Sequence, residues 1–257
     1  MAAAAADPAL LDGGPLPPPL PIFLAMFLAV YLAGHLVVFR GWSPEARPEA
    51  SSCLISLAHG TPAVALASFA LLSDPSRGFA ARNTGAQDAV LEYSIAYFLA
   101  DLVHYLVFYP KDLLFIGHHL ATLFVFLTCR YLVRHGAFAI LVLLILAEVT
   151  SACQNAWTLS GVRRRDSALA AKVFDALSAP FYSFYSVVRG LFGPLFLYKM
   201  GVFYASGGAE GVIPRWVWVS WLVVVSLAIG VSILWVSNLW VELFRERSKG
   251  RLKKKSR

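Results

Sequence analysis

Charge is what this sequence has least of: 14% of its 257 residues are Asp, Glu, Lys or Arg, against 58% hydrophobic. A soluble domain is about 25% charged, so an ordinary water-exposed globule is excluded. Cysteine is also scarce. Cys53, Cys129 and Cys153 fall inside or at the edge of apolar runs, and an odd number of buried thiols excludes a disulfide or zinc framework. Basic residues are missing from residues 1–19, a stretch rich in Ala, Pro and Gly. That excludes the basic n-region of a cleavable signal peptide and leaves a disordered luminal tail ahead of a retained first helix as the expectation. No H-x-x-x-H, H-x-x-H-H or H-E-x-x-H spacing occurs, no Gly-rich nucleotide loop and no G-x-S-x-G. Di-iron oxidases, zincins and serine hydrolases of the elbow type lose their signatures accordingly, and bis-histidine haem from His59, His104 and the pair His118 and His119 is the remaining metal reading.

What is present is apolar length. A bilayer needs about 20 mostly apolar residues in a helix, and windows of that kind run at 20–39, 53–72, 89–109, 113–133, 138–157, 173–203 and 216–241. Backbone groups in lipid must be satisfied within the segment, so these are helices. The fold class expected is an all-α membrane protein with about seven transmembrane helices. Its organisation is a tail at 1–19, a first transmembrane helix and loop at 20–52, six transmembrane helices at 53–242 and a basic tail at 243–257. The sixth window contains Gly193-Pro194 and should be kinked there.

Orientation follows from the placement of positive charge. The connections holding Arg40, Arg47, Lys111, Arg163, Arg164, Arg165 and Lys172, together with the tail, outweigh those holding Arg77, Arg82, Arg130, Arg134, Lys199 and Arg215. The richer side is cytosolic, which puts the C-terminus in the cytosol. The net charge of +7 lies mostly in that tail, where it anchors a helix and meets anionic lipid; nucleic acid is not an expected partner. Lys254 and Lys255 stand at the spacing of a dilysine retrieval signal of the endoplasmic reticulum, a receptor-read address.

Ionisable groups at membrane depth are costly and mark function by default. Helical spacing gathers them: Tyr97, Asp101 and His104 on one face of the third window, Glu148, Ser151 and Asn155 on the fifth, and Asp175, Ser178, Tyr182, Tyr185 and Arg189 on the sixth. Single polar faces on three helices imply one shared polar cavity. His118 and His119 lie at the same depth as His104 on the preceding antiparallel helix, so the two sites should meet. Adjacent histidines point about 100° apart; one faces the cavity and the other bonds a neighbouring helix. With Asp101 and His104 opposite and Thr122 one turn on, one imidazole is a candidate general base or nucleophile.

The stretch Tyr97-Phe98-Leu99-Ala100-Asp101-Leu102-Val103-His104, then Gly117-His118-His119-Leu120-Ala121-Thr122, then Arg134-His135-Gly136 resembles the core of the TRAM, Lag and CLN (TLC) domain. It is similar in particular to the small plant and animal TLC proteins related to ceramide synthases. The resemblance implies a bundle of six helices around a polar, lipid-accessible cavity in the endoplasmic reticulum membrane. It also implies His118 or His119 as catalytic histidine, Asp101 as partner and Arg189 as the arginine of the penultimate helix; helical spacing adds His104, Thr122, Glu148, Ser151, Asn155 and Tyr182 to the cavity that would hold lipid. Synthases transfer an acyl group from acyl-CoA to a sphingoid base. Here the acid-rich segment of the synthases is replaced by Ala147-Glu148-Val149-Thr150-Ser151. Three functions are open: lipid homeostasis by binding or sensing a membrane lipid, without a cofactor; an acyltransferase with acyl-CoA as substrate; or a chaperone or cargo-binding membrane protein.

Overall fold

The computed structural model describes residues 19–255, with side chains as far as Arg245 and at Ser248. All but the last residue of the expected tail at 1–19, and the side chains of Lys254 and Lys255, lie outside the described residues. The chain forms α1 (Leu20–Ala33), α2 (Ala46–Leu72), α3 (Gly85–Phe108), α4 (Leu113–Leu127), α5 (Ala137–Glu148), α6 (Ser151–Arg163), α7 (Ala168–Val187), α8 (Gly193–Ala205) and α9 (Arg215–Lys255). Wider π turns extend α1 at Gly34–Val38 and α4 at Thr128–Val133, and join α7 to α8 at Val188–Phe192. Among the described residues six helical stretches are long and apolar enough to cross a membrane. The expected sixth window is also helical throughout, as α7, its π turn and α8, but carries Asp175, Arg189 and Lys199.

The kink expected at Gly193-Pro194 takes the form of that π turn just upstream. Pro194 has no N–H to give the preceding turn, and a π turn absorbs the mismatch without ending the helix. The fifth window, read as one helix, is in fact interrupted. α5 stops at Glu148 and α6 starts at Ser151, with Val149 and Thr150 between them.

α3 is the axis of the bundle: 67% of its apolar window is buried, against 11% for α1 and for α9. It packs on α1, α2, α4 and α5, and α2 packs in turn on α5 and α6. Burial of a rim helix is incomplete because its outer face meets lipid, as the exposed Leu36, Leu72, Leu113 and Leu227 require. A first core joins α1–α5 to α8 and α9 through Phe27, Ile55, Leu91, Ile140, Tyr204 and Trp221. A second and smaller one, Phe181, Tyr182, Tyr185 and Val236, lies between α6, α7 and α9.

Buried polar pairs hold the helices in register. Glu92 on α3 bonds Arg130 of the π turn after α4 at 2.6 Å, with Asp88 at 3.2 Å from the same guanidinium. Glu92 also accepts the Leu20 N–H at 3.2 Å, which tethers the start of α1. Arg130, read from sequence as a loop charge, is therefore drawn into the bundle. Nearby, Gly136 adopts φ 86°, and a Cβ there would meet Trp221 at 3.1 Å and the Phe79 carbonyl at 3.2 Å. Glycine is required because the turn is both left-handed and overlaid by a ring.

Candidate functional site

Asp101 sits on the buried face of α3, where Ser52 of α2 donates to its Oδ1 at 2.7 Å and His119 Nε2 lies 2.9 Å from its Oδ2. His119 Nδ1 donates to the Phe115 carbonyl one turn back, at 2.8 Å. A carbonyl has no proton to give, so Nδ1 carries one. Nε2 then faces a carboxylate oxygen, so a second proton lies between them, as imidazolium against carboxylate or carboxylic acid against imidazole. Every polar atom of the pair is used, and both residues are buried.

His118 differs in every respect. It makes no protein hydrogen bond or ion pair among the described residues, its ring stands at 87° to that of His119, and it faces a hollow of about 140 Å³. Phe98, Thr122, Glu148, Arg189 and Ser232 line the same space. The 100° step between adjacent residues thus separates a structural histidine from an open one. Asp101, the expected partner of whichever imidazole reacts, belongs to the structural one. It acts on the cavity only through the backbone and ring of His119.

The break after Glu148 builds the opposite wall. Ending a helix inside the membrane leaves carbonyls without partners, and Arg189 Nη2 donates to one of them, Ala147 O. A guanidinium suits a helix C-terminus, where the carbonyl dipoles converge. Its plane lies over Tyr185, 4.9 Å to the ring centroid, while its Nε is buried without a protein acceptor. No carboxylate lies within ion-pair distance of Arg189 among the described residues. Glu148 instead accepts from Ser151 Oγ at 2.7 Å and stands 3.9 Å from His59 Nδ1, beyond hydrogen-bond reach.

Gly60 makes this arrangement possible. A Cβ at that position of α2 would come within 2.8 Å of Glu148 Oε2 and 3.0 Å of Ser151 Cβ. Gly60→Ala gains up to about 1 kcal/mol of helix propensity, but overpacking against the adjoining helix costs about 1–3 kcal/mol. The expected net is a loss of stability, read as a lower midpoint of thermal unfolding in detergent; a raised midpoint would show that the break has room to move.

Of the positions expected around one cavity, four are brought together: His118, Thr122, Glu148 and Arg189. Ser151 supports Glu148 from behind. Asn155 donates to Ser56 on α2 at 2.8 Å and fastens two helices. His104 does not meet the histidine pair. Three residues beyond Asp101 it turns about 60° round α3, where Tyr31 on α1 bonds its Nδ1 at 2.8 Å and Tyr105 stands between it and His119. Tyr182 lines a different hollow together with Asp175 and Ser178, so the long stripe on α7 serves two spaces rather than one. The residue that sequence reading missed is Ser232 on α9, a small hydroxyl in an apolar helix with no charge to mark it. Among the described residues no group of three or more His, Cys, Asp or Glu converges on a metal position. His59, the other haem candidate, bonds Ser94 at 3.1 Å and stacks on Tyr97 with centroids 4.1 Å apart.

Comparison with known proteins gives the family of the chain. The sequence profile of the TLC domain (TRAM, LAG1, CLN8) matches residues 49–241. The TLC domain-containing protein At5g14285 of Arabidopsis thaliana is 65% identical over 221 residues, covering 85% of this chain and 87% of the relative. No solved structure matches. The matched region runs from the first turn of α2 into α9, takes in Asp101, both histidines, Glu148 and Arg189, and covers most of a membrane-embedded helical bundle: the chain belongs to the TLC domain family.

Proposed function

We propose that this protein binds or senses a membrane lipid by its polar end in the hollow lined by His118, Thr122, Glu148 and Arg189. In doing so it acts in lipid homeostasis in the endoplasmic reticulum membrane, with its C-terminus in the cytosol. The observation that supports this reading best is the division of labour between neighbouring histidines: His119 is saturated by Asp101 and Phe115, while His118 is left open beside a cation without a carboxylate. A free imidazole, two hydroxyls and a guanidinium provide donors for a carbonyl or acidic oxygen, the charged donor giving the strongest bond. At about 140 Å³ the hollow holds a headgroup fragment rather than a whole lipid. The chains remain outside, in the bilayer.

The test is the lipid that co-purifies with the full chain in mild detergent, quantified by mass spectrometry. His118→Ala is expected to lower it several-fold with an unchanged melting midpoint, because the ring bonds nothing in the protein. Retention in wild type no higher than in a detergent control would end the proposal.

A second reading, acyl transfer, is favoured by the same open imidazole. The acyl carbon would move from the sulfur of acyl-CoA to an amine nitrogen, the C–S bond breaking as the C–N bond forms, and the thiol would leave with the proton the amine gives up. Replacement of the synthase acids by the 147–151 segment weighs against it. Microsomes holding wild type or His118→Ala separate the two: a difference in acyl-CoA consumption favours transfer, and equal rates favour binding alone.

A further inference from the structure

The hollow at His118 has a mouth, and the lean of α9 across the bundle decides where it lies. α9 runs antiparallel to α4, and near its start the two are bonded: Trp221 Nε1 donates to Thr128 Oγ1, just past the end of α4, at 2.8 Å. About four turns further on, α9 is held by α7 instead. There the Trp235 ring meets Tyr185 edge-on with centroids 5.2 Å apart, Val236 joins the core of Phe181 and Tyr182, and Trp240 Nε1 donates to Ser186 Oγ at 3.1 Å. A helix tied to α4 at one end and to α7 at the other diverges from α4 in between. His118 and Ser232, each about three turns from the bonded pair, line the hollow at that divergence.

Gly117 shows the gap directly. It stands on the face of α4 that carries Thr128, about three turns earlier, and a Cβ there would meet nothing within 4 Å. His118 beside it is exposed, whereas Leu123 and Val125, closer to the bonded end, are buried. Leu114 on α4 and Val231 on α9 are exposed at the same depth. Among the described residues no hydrogen bond or ion pair joins α4 to α9 along this stretch. The gap is therefore a slot, closed at Thr128 and Trp221 and wider toward the end of the bundle that carries Arg163, Arg164 and Arg165, with the hollow behind it and lipid in front. Its edges are apolar, so a hydrocarbon chain crosses them without cost and a charged group does not. The hollow itself, at about 140 Å³, encloses only a headgroup fragment, and a chain attached to that fragment needs a way out.

We infer that the slot between α4 and α9 is the groove for an acyl chain: a lipid held by its polar end at His118 and Arg189 passes a chain between Gly117 and the 228–232 stretch of α9 into the adjoining leaflet. The inference rests on the reading of the hollow as a lipid site and adds the partner's source, a lipid already in the bilayer that enters sideways.

The experiment uses the full-length protein in mild detergent, with co-purified lipid and melting midpoint measured on the same samples. Gly117→Leu places a side chain in the slot, about 100° round α4 from His118. It is expected to lower retained lipid about fivefold with a midpoint no lower than wild type, since leucine favours a helix over glycine and displaces nothing. Ala121→Leu, one turn further along the same side, is expected to do the same, and decides the matter should Gly117→Leu melt early. Gly230→Leu makes the same change on the face of α9 opposite Trp221, where a Cβ also meets nothing within 4 Å, and is expected to leave retention unchanged. Wild-type retention in both α4 variants, or an equal loss in Gly230→Leu, would overturn the slot and leave the hollow as a lipid site. Wild-type protein holding no more lipid than a detergent control would overturn the reading of the hollow, and the slot with it.

Discussion

Asp101→Ala is expected to lower stability by about 3–5 kcal/mol, the cost of removing one partner from a buried, fully hydrogen-bonded Asp–His pair. Without the carboxylate, His119 Nε2 and Ser52 Oγ face an empty space inside the bundle, where water cannot replace what was lost. Asp101→Asn is expected to behave differently. The carboxamide oxygen accepts from Ser52, its N–H donates to Nε2 of an uncharged His119, and Nδ1 still donates to Phe115. Every group remains satisfied. Thermal unfolding in detergent, followed by size-exclusion fluorescence, should place the asparagine variant close to wild type and the alanine variant far below it. An alanine variant that melts with wild type would show that the Asp101–His119 pair is not structural. Lipid retention by the asparagine variant then asks a separate question, whether the proton in that pair matters to the neighbouring cavity.

Arg189→Ala is expected to produce the opposite division between stability and binding. Its two effects on stability oppose each other: the Ala147 carbonyl at the helix break loses its charged donor and keeps only the long bond from the Thr150 hydroxyl at 3.5 Å, costing about 1–3 kcal/mol, while a cation without a carboxylate leaves a low-dielectric site, which relieves a comparable penalty. The midpoint should shift little. Binding has no such compensation. A charged hydrogen bond to a headgroup oxygen is worth about 1.5–3 kcal/mol, so retained lipid should fall by about tenfold to a hundredfold. Arg189→Lys keeps the charge but not the planar fork that reaches Ala147, and should recover only part of the loss. Full lipid retention by the alanine variant would remove the guanidinium from the site and leave His118 to account for any binding.

Much of this molecule was legible before any coordinates. The apolar windows mark the helices because a bilayer tolerates no other backbone. Asp101, His118, Glu148 and Arg189 stood out because each is a polar exception in an environment that penalises exceptions, and three of the four line one hollow. Ser232 gave no such signal, since a serine in a membrane helix is cheap and usually bonds its own backbone. Glu92 and Arg130 were legible in principle, as an acid in one apolar window and a base at the end of the next, yet only the packing of α3 against α4 shows that they pair.

Residue type and spacing by themselves determined that the chain is a membrane bundle, that it resembles the TLC domain, and which few positions can carry chemistry. Three things were decided by tertiary structure alone. The direction of each histidine depends on how α4 is rotated against α3, and a 100° step says only that the two must diverge. The polar stripe of α7 reads as one face, but α6 and α9 close over its first part and α5 over its last, dividing it between two spaces. The interruption after Glu148 has no proline or glycine to announce it. It exists because Gly60 opens α2 to a carboxylate and Arg189 receives the carbonyl the break sets free, contacts between residues distant in sequence that no local pattern contains.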